Sequence, residues 1–521
     1  MGGIPRQALR RIKGHRVAFL LLGAASVALI VQGAGAQKAT NDFQPSVPRV
    51  WDDEALSTLE IPLAVPEASP KFVSSNWYYR IPVRPIYKSY PVYRPDREPR
   101  GYMDWLKHQD PVIAFNSSRL KTEDDWIKAG EIVYDAPIGF NTPLFMTLED
   151  IRNPDWYKKL NVPVAADGSL PFARYEVREK GKVELGEGSC NTCHTRVMPD
   201  GTVIKGAQGN MPYDRIVGYA LRRSLAEAKD PDAFTKRIRH EWHMALEVPW
   251  LNPDPFADAE KMSIEQIATL HDAIPPGAAI RVNTSLSYPP LVPSLIGVRE
   301  RRYLDHTGLV QQRSIGDLMR YAALVQVGVR FETFLNFKIL EQLPDPSTEL
   351  RYGDDQLYAL ALYIYSLKPP PNPNKFDARA ARGQKVFERE GCAVCHTPPL
   401  YTNNELTPVK GFQPPAADLK RFAILPVSVG TDTGLALESR VGTGYYRIPS
   451  LQGVWFRGPF EHNASVATLE DWFDPRRVRQ DYVPTGFRGA GVKSRAVQGH
   501  PYGLDLSEED RRALIAFLKT L

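Results

Sequence analysis

Apolar residues recur at helical spacing in several stretches of this chain, and the stretches come in pairs. Asp354 to Leu367 (DDQLYALALYIYSL) and Glu508 to Leu521 (EEDRRALIAFLKTL) place apolar side chains three and four apart, predicting two amphipathic helices offset by 154 residues. Ser507 with Asp510 reads as a capping box opening the second. Ala129-Gly-Glu-Ile-Val-Tyr134 and Arg382-Gly-Gln-Lys-Val-Phe387 form another matched pair of amphipathic turns. A third pair is Pro293-Ser-Leu-Ile-Gly-Val298, with His306 thirteen residues after its proline, and Pro449-Ser-Leu-Gln-Gly-Val454, with His462 again thirteen after; here the offset is 156. Each proline element runs into a helix-like stretch, Ser314 to Ala323 and Ala467 to Phe473. The chain therefore reads as a tandem duplication of one unit.

The pattern also sets boundaries. Residues 125–368 and 375–521 are expected to be the two units, joined by a stiff proline-rich spacer over 369–374. Residues 37–124 carry Trp77, Tyr78, Tyr79, Tyr87, Tyr90, Tyr93 and Tyr102 without a helical period. They are expected to form an extended arm wrapped over the units, its prolines keeping it out of regular sheet. Residues 1–36 read as a targeting segment: Arg6, Arg10, Arg11, Lys13 and Arg16 precede the apolar run Val17 to Val31, and Ala34-Gly35-Ala36 offers a small-residue cleavage site. The run is short for a spanning helix of about 20 residues, so a cleaved secretory signal is favoured over a retained single anchor. Without the five basic residues of this leader, 60 Lys and Arg face 60 Asp and Glu. That balance leaves no basic footprint for a nucleic acid, and a membrane is a partner only if the leader stays attached.

All four cysteines fall in two copies of Cys-x-x-Cys-His, Cys190 to His194 and Cys392 to His396. The pattern attaches c-type haem: two thiols, Cys190 and Cys193 or Cys392 and Cys395, add to the porphyrin vinyls, and His194 or His396 takes the proximal side of the iron. A zinc site or redox dithiol is the alternative for a lone Cys-x-x-Cys. Two pairs in one exported chain, each followed by His and with no cysteine left over, point instead to two covalent haems and to the periplasm. From Phe387 to Cys392 is five residues, but from Tyr134 to Cys190 it is 56; from His396 to Pro449 is 53, against 99 from His194 to Pro293. The first unit thus carries long insertions, expected to be ordered, with helical periodicity near Phe234 to Leu246. Extra cover over one haem suggests that the first is the working site and the second its electron partner.

The stretch Tyr446 to Asp471, with Ile448-Pro449-Ser-Leu451, Pro459-Phe-Glu-His462-Asn-Ala-Ser465 and Thr468-Leu469, resembles the bacterial di-haem cytochrome c peroxidases and their relatives. Those relatives include the enzyme maturing methylamine dehydrogenase and the di-haem rubber oxygenases. The resemblance spans roughly Trp126 to Leu521. The haem spacing of 202 residues and the closing Gly499-His500-Pro-Tyr-Gly503 look more like the rubber-oxygenase branch. The resemblance implies a mainly α fold: two tandem class I cytochrome c-like domains, an irregular proline- and aromatic-rich N-terminal arm, and insertions around the first haem.

Sixth ligands decide the chemistry, because an iron with two strong ligands transfers electrons and one with an open face binds a small oxidant. All eight methionines lie at or before Met319, so the second unit has none to offer, and the position matching the family's methionine is Arg476. His462 and His500 are the only histidines after His396. His462 shares its place with His306 and resembles a structural or propionate-side residue, whereas His500 resembles the distal histidine of the rubber-oxygenase branch and is the expected ligand. The family's acid-base glutamate, counted from Leu318, maps to Glu332, flanked by Phe331 and Phe334; a solvated helix glutamate is the alternative. If the phenylalanines face the iron instead, the site resembles the oxygenase branch. Tyr303 sits where the peroxidases resemble one another in having a tryptophan relay. His240, His243 and His271 lie in the insertions; as i and i+3 on one helix, His240 and His243 could reach a haem or a metal, but helix-surface positions are expected for that pair. Three functions follow: a peroxidase-type oxidoreductase fed by a small redox protein or a quinol-linked donor, an oxygenase binding dioxygen at the first haem, or an electron carrier with both irons six-coordinate.

Overall fold

Two close helix contacts organise the protein. The computed structural model describes residues 43–254, 256–280, 285–340 and 342–521. In it, helix Glu123–Asp135 packs on helix Asp354–Ser366, and helix Ala378–Arg389 packs on helix Glu508–Lys519. Both contacts are made through a glycine. A Cβ on Gly130 would lie 2.0 Å from the Ala359 carbonyl oxygen and 2.8 Å from Tyr363 Cβ; on Gly383 it would lie 1.9 Å from the Ala513 oxygen and 2.7 Å from Phe517 Cβ. The aromatic partners repeat as well: Tyr134 meets Tyr363 at 5.2 Å and 61°, and Phe387 meets Phe517 at 5.4 Å and 62°.

The proline elements repeat with the same fidelity. Asp305 and Glu461, each twelve residues after its proline, adopt left-handed φ angles of 68° and 72°. In each copy the carboxylate accepts the amide of the following histidine, at 2.7 Å for His306 and 2.9 Å for His462. The copies then lock onto each other: Leu291 donates its amide to the His462 carbonyl (2.7 Å), and Arg447, at the matching position, donates to the His306 carbonyl (2.8 Å).

Helices end where the apolar period ends. The expected stretches appear as Ile315–Val327, Leu469–Trp472, Pro231–Leu246, Asp354–Ser366 and Glu508–Lys519. Ser507 Oγ caps the last of these by accepting the Asp510 amide at 3.2 Å. Phe43–Leu521 forms one compact unit, while the leader expected over 1–36 lies outside the described residues. Among the described residues no helix is long and apolar enough to cross a membrane.

One expectation needs correction. Seventeen α-helices among the described residues, several of a single turn, are accompanied by five small sheets, the largest antiparallel with strand order Ser89–Tyr93, Ser169–Glu179, Lys182–Glu187, Gly139–Phe140. The aromatic arm enters this sheet rather than staying clear of it. Pro91 is tolerated because Ser89–Tyr93 is an edge strand and its register shifts at Pro91/Val92. The arm's rings are packed: Trp51 stacks on Tyr78 at 4.1 Å and 8° within the core cluster that also holds Trp126, Tyr134, Leu357 and Ile364. Burying such a side chain contributes about 1.5–3 kcal/mol.

Gly130→Ala and Gly383→Ala test the helix contacts. Alanine gains about 1 kcal/mol in helix propensity, but a backbone oxygen 2 Å away forces the helices apart. Each variant should lose about 1–3 kcal/mol net in urea unfolding. Unchanged stability in both would contradict the close approach.

Candidate functional site

The first Cys-x-x-Cys-His is held by three elements. Tyr134, on helix Glu123–Asp135, donates its hydroxyl to the His194 carbonyl at 2.6 Å and accepts the Gly206 amide at 3.1 Å. Strand Ser169–Glu179 accepts Thr192 Oγ1 through the Phe172 carbonyl at 2.9 Å, and Asn191 Nδ2 reaches Asp135 at 3.3 Å. Strand Lys182–Glu187 delivers the chain into the motif. The sheet that the sequence reading missed is therefore part of what fixes this site.

Each motif histidine meets the carbonyl side of a proline element. His194 Nδ1 lies 2.9 Å from the Pro293 carbonyl oxygen. His396 Nδ1 lies 3.1 Å from the Tyr401 carbonyl oxygen, with the Pro449 carbonyl also acting as an acceptor for this ring. A carbonyl only accepts, so both rings donate from Nδ1, which selects the tautomer whose Nε2 carries the lone pair. The motifs close alike: the His194 amide bonds the Cys190 carbonyl and the His396 amide the Cys392 carbonyl, both at 2.9 Å.

His500 stands opposite His396. The ring centres are 6.3 Å apart and inclined by 55°. Two metal–nitrogen bonds of about 2 Å, with about 1.1 Å from each nitrogen to its ring centre, add to about that length, which is the ring spacing that a single metal held by both imidazoles would need. Burial, then His396 and Arg477, pushes His500 down to about 4, and burial holds His396 below the ordinary histidine range; both are neutral imidazoles at pH 7. His500 Nδ1 is buried without a hydrogen-bond partner.

What holds His500 in place is Arg477, which the sequence reading passed over in favour of its neighbour. Arg476 is a surface residue paired with Asp474. Arg477 is fully buried, and its guanidinium donates to the carbonyls of Trp472 (2.8 Å), Val497 (2.9 Å), Gly499 (2.9 Å) and His500 (2.6 Å). His500 needs that support because it sits at a left-handed φ of 47°, with its amide tied to the Val429 carbonyl at 2.7 Å. Nothing in the local pattern of Arg476-Arg477 marks which one turns inward.

His462 lies elsewhere, stacked at 4.5 Å on Tyr446, with Nδ1 2.7 Å from Glu461 and Nε2 3.1 Å from Asp432. Burial opposes its charge, but Asp432 and Glu461 more than offset this and hold it up to about 10. Its twin His306 is instead pushed by burial down to about 4, with Nε2 donating to the Leu291 carbonyl at 2.6 Å. The same sequence element thus presents a cation in one copy and a neutral ring in the other.

Glu332 is not on a helix surface: it is buried on strand Glu332–Phe334, opposite Phe72, between Phe331 and Phe334, which are also buried. Burial pushes it up to about 8, and the Arg440 guanidinium pulls the other way. Glu60 is held well above the carboxylate range by burial and by the charges of Glu332 and Asp305. A polar side chain beside the first motif is Gln326, whose Nε2 is 4.0 Å from Cys190 Sγ and whose Oε1 is buried without a partner. Counting to the first carboxylate skipped this amide. Tyr303 is buried, its hydroxyl accepting the Ala423 amide at 2.8 Å.

The insertion histidines are tied to nearby side chains. His243 bridges Glu260 (2.9 Å) and Asp254 (2.8 Å), His240 is exposed 3.6 Å from Glu260, and buried His271 bonds Asp214 (2.8 Å) and accepts Trp242 Nε1 (2.9 Å). Of these only His240 has the surface position expected. Among the described residues no group of three or more His, Cys, Asp or Glu is gathered as a metal ion would need. No cysteine is in a disulfide, and burial pushes the Cys190 and Cys392 thiols up to about 12. A redox dithiol works through a lowered value.

Comparison with known proteins adds a weak kinship. No family model matches. The chain is 28% identical over 145 residues to the methylamine utilization protein MauG of Methylorubrum extorquens; the match covers 28% of this chain and 35% of MauG, so it spans about a third of that relative's length. This supports the broad superfamily that the motifs resemble and does not single out the rubber-oxygenase branch. Among solved structures, a xenon-pressurised Kuenenia stuttgartiensis hydrazine synthase aligns over 55% of this chain and 87% of its own at 16% identity and a TM-score of 0.27. A MauG-like protein associated with microbial copper homeostasis aligns over 44% and 73%, also at 16% and 0.27. Scores this low do not assign a fold.

The buried His462–Glu461 pair has a pH signature. With its folded value raised to about 10, His462 contributes stability that is complete below about pH 6.5, its unfolded value, and is lost as pH rises through 10. His462→Gln should therefore cost about 3 kcal/mol near pH 6, and the difference from wild type should shrink toward pH 10 in denaturant titrations. A difference that grows with pH would contradict the ion pair.

Proposed function

We propose that this chain is a periplasmic di-haem c-type cytochrome acting as a peroxidase-type oxidoreductase, with two cytochrome units corresponding to residues 125–368 and 375–521. The observation that carries the reading is the pair His396 and His500, with rings 6.3 Å apart beside a Cys-x-x-Cys-His. The residues fit the group: thiols at the right spacing, proximal imidazoles oriented by carbonyls, and the partnerless buried atoms Gln326 Oε1 by the first motif and His500 Nδ1 by the second. Bound c-type haem would supply one-electron redox chemistry at both motifs and, where an axial place stays open, a site for a small oxidant.

The chain's own residues divide the labour. Cys392, Cys395, His396 and His500 would hold the second haem, at a centre suited to receiving electrons from a small redox protein or a quinol-linked donor. Cys190, Cys193 and His194 would hold the first, beside the insertions. Gln326 contributes an amide to that side, and Glu332, protonated near neutral pH, stores a proton beside Phe331 and Phe72, which belong with the apolar cluster that Cys190 packs against. Whether the oxidant is peroxide or, as in the oxygenase branch, dioxygen turns on which of these side chains faces it. Export of the chain through its leader supports the periplasmic assignment.

The test is stoichiometric. The purified protein should carry two irons and two covalently bound haems per chain, and carbon monoxide should bind one of them, the haem at His194. Glu332→Gln should lower peroxide turnover about 10²-fold if this carboxyl is the acid-base. One haem or none, or zinc in its place, would sink the reading; carbon monoxide binding to neither iron would leave an electron carrier.

A further inference from the structure

We propose that Arg301, Arg447 and Arg457 form a cradle for carboxylates between the two Cys-x-x-Cys-His motifs, and that the carboxylates it receives are the propionates of the attached haems. The inference rests on the di-haem reading above and goes beyond it by assigning side chains that no motif includes.

Repetition places the three arginines together. Arg301 and Arg457 are twins, each eight residues after its proline, Pro293 or Pro449. Arg447 is two residues before Pro449, the place that Leu291 holds in the first copy. Because Leu291 and Arg447 are the residues that lock the copies, through the His462 and His306 carbonyls, the arginines gather where the copies meet. They are half-buried and close enough for their charges to be felt mutually: burial comes first, and neighbouring guanidinium charge then lowers Arg301 and Arg457 further.

Their donors are mostly unspent. Each guanidinium carries five N–H groups, and each is anchored by one backbone carbonyl: Arg301 by Ile296 (3.1 Å), Arg447 by Asp305 (3.0 Å), Arg457 by Ser450 (2.8 Å). Arg457 Nε is buried with no partner. Among the described residues no ion pair joins any of the three to a carboxylate; the nearest acid, Asp305, attracts Arg447 while accepting the Tyr321 hydroxyl (2.6 Å) and the His306 amide (2.7 Å). Buried cations without counter-charge are strongly unfavourable, and planar guanidinium forks match carboxylates. The location selects the ligand. The Arg457 charge is felt at His396, and Arg196, two residues after His194, donates to the Gly458 carbonyl next to Arg457 at 2.9 Å. A haem held by thioethers on its vinyl edge would present its propionates on the opposite edge, and Arg457 with its neighbour Gly458 links the arginines to both motifs.

The experiment uses the holoprotein. Arg301→Gln, Arg447→Gln and Arg457→Gln are compared with Arg457→Lys by haem content and by spectroelectrochemical titration, with and without added acetate. Haem content should stay at two per chain. Removing a cation beside a propionate disfavours the added electron, so Arg457→Gln should cut the reduced-to-oxidised ratio of the second haem about tenfold at fixed ambient potential, about 59 mV for one electron. Arg457→Lys, which keeps the charge, should stay near wild type, and acetate should change nothing. Wild-type potentials in all three glutamine variants would overturn the cradle. Potentials that follow added acetate would mean that it holds a free carboxylate, which overturns the propionate assignment. Absence of haem from the wild type is a separate failure, of the di-haem reading itself. Should the glutamine variants not fold, the propionate-bending band in the wild-type resonance Raman spectrum decides: a hydrogen-bonded propionate is expected, and a freely hydrated one contradicts the proposal.

Discussion

The reciprocal lock between the two proline elements is the contact on which both motifs depend. Leu291 holds the His462 carbonyl and Arg447 holds the His306 carbonyl. Two residues after Leu291, the Pro293 carbonyl orients His194; two residues after Arg447, the Pro449 carbonyl serves His396. A shift in either copy is thus passed to both imidazoles. Backbone hydrogen bonds of this kind tolerate little displacement, so two distant Cys-x-x-Cys-His segments are set in one frame although 202 residues separate them.

Within that frame the copies diverge where side chains, not backbone, set the environment. His306 and His462 each follow a residue with a left-handed φ, yet one is a neutral ring on a carbonyl and the other a cation between two carboxylates. Around the first motif, an inserted strand supplies Phe172 and the repeated helix Glu123–Asp135 supplies Asp135 as clamps; around the second, one buried arginine gathers four carbonyls and sets His500 against His396. The repeated elements therefore carry a clamped motif on one side and a facing histidine pair on the other, a difference that the proposed receiving and reacting centres would use.

Much of this was legible in the sequence. Strict helical periodicity announced helices such as Asp354–Ser366 and Glu508–Lys519, and the matched proline elements announced a geometry that repeats to within a few degrees. The hairpin Ser169–Glu179 to Lys182–Glu187 was missed although Lys180-Gly181 is a two-residue turn between β-rich segments, because the insertions were expected only to be ordered and helical near Phe234 to Leu246. Gln326 and Arg477 were missed for a different reason. Their roles come from which way a side chain turns in the packed protein, and neighbours such as Arg476 have the same local chemistry. The burial of Glu332 was half legible: its flanking phenylalanines signalled an apolar setting, but strand pairing with Phe72 lies 260 residues away in the chain.

Electron paramagnetic resonance of the oxidised holoprotein, wild type beside His500→Ala and His462→Ala, tests the central claim most directly. The account predicts one low-spin and one high-spin iron in the wild type, conversion of the low-spin signal to high-spin in His500→Ala, and an unchanged spectrum in His462→Ala. A low-spin signal that survives His500→Ala, or is lost in His462→Ala, would contradict it.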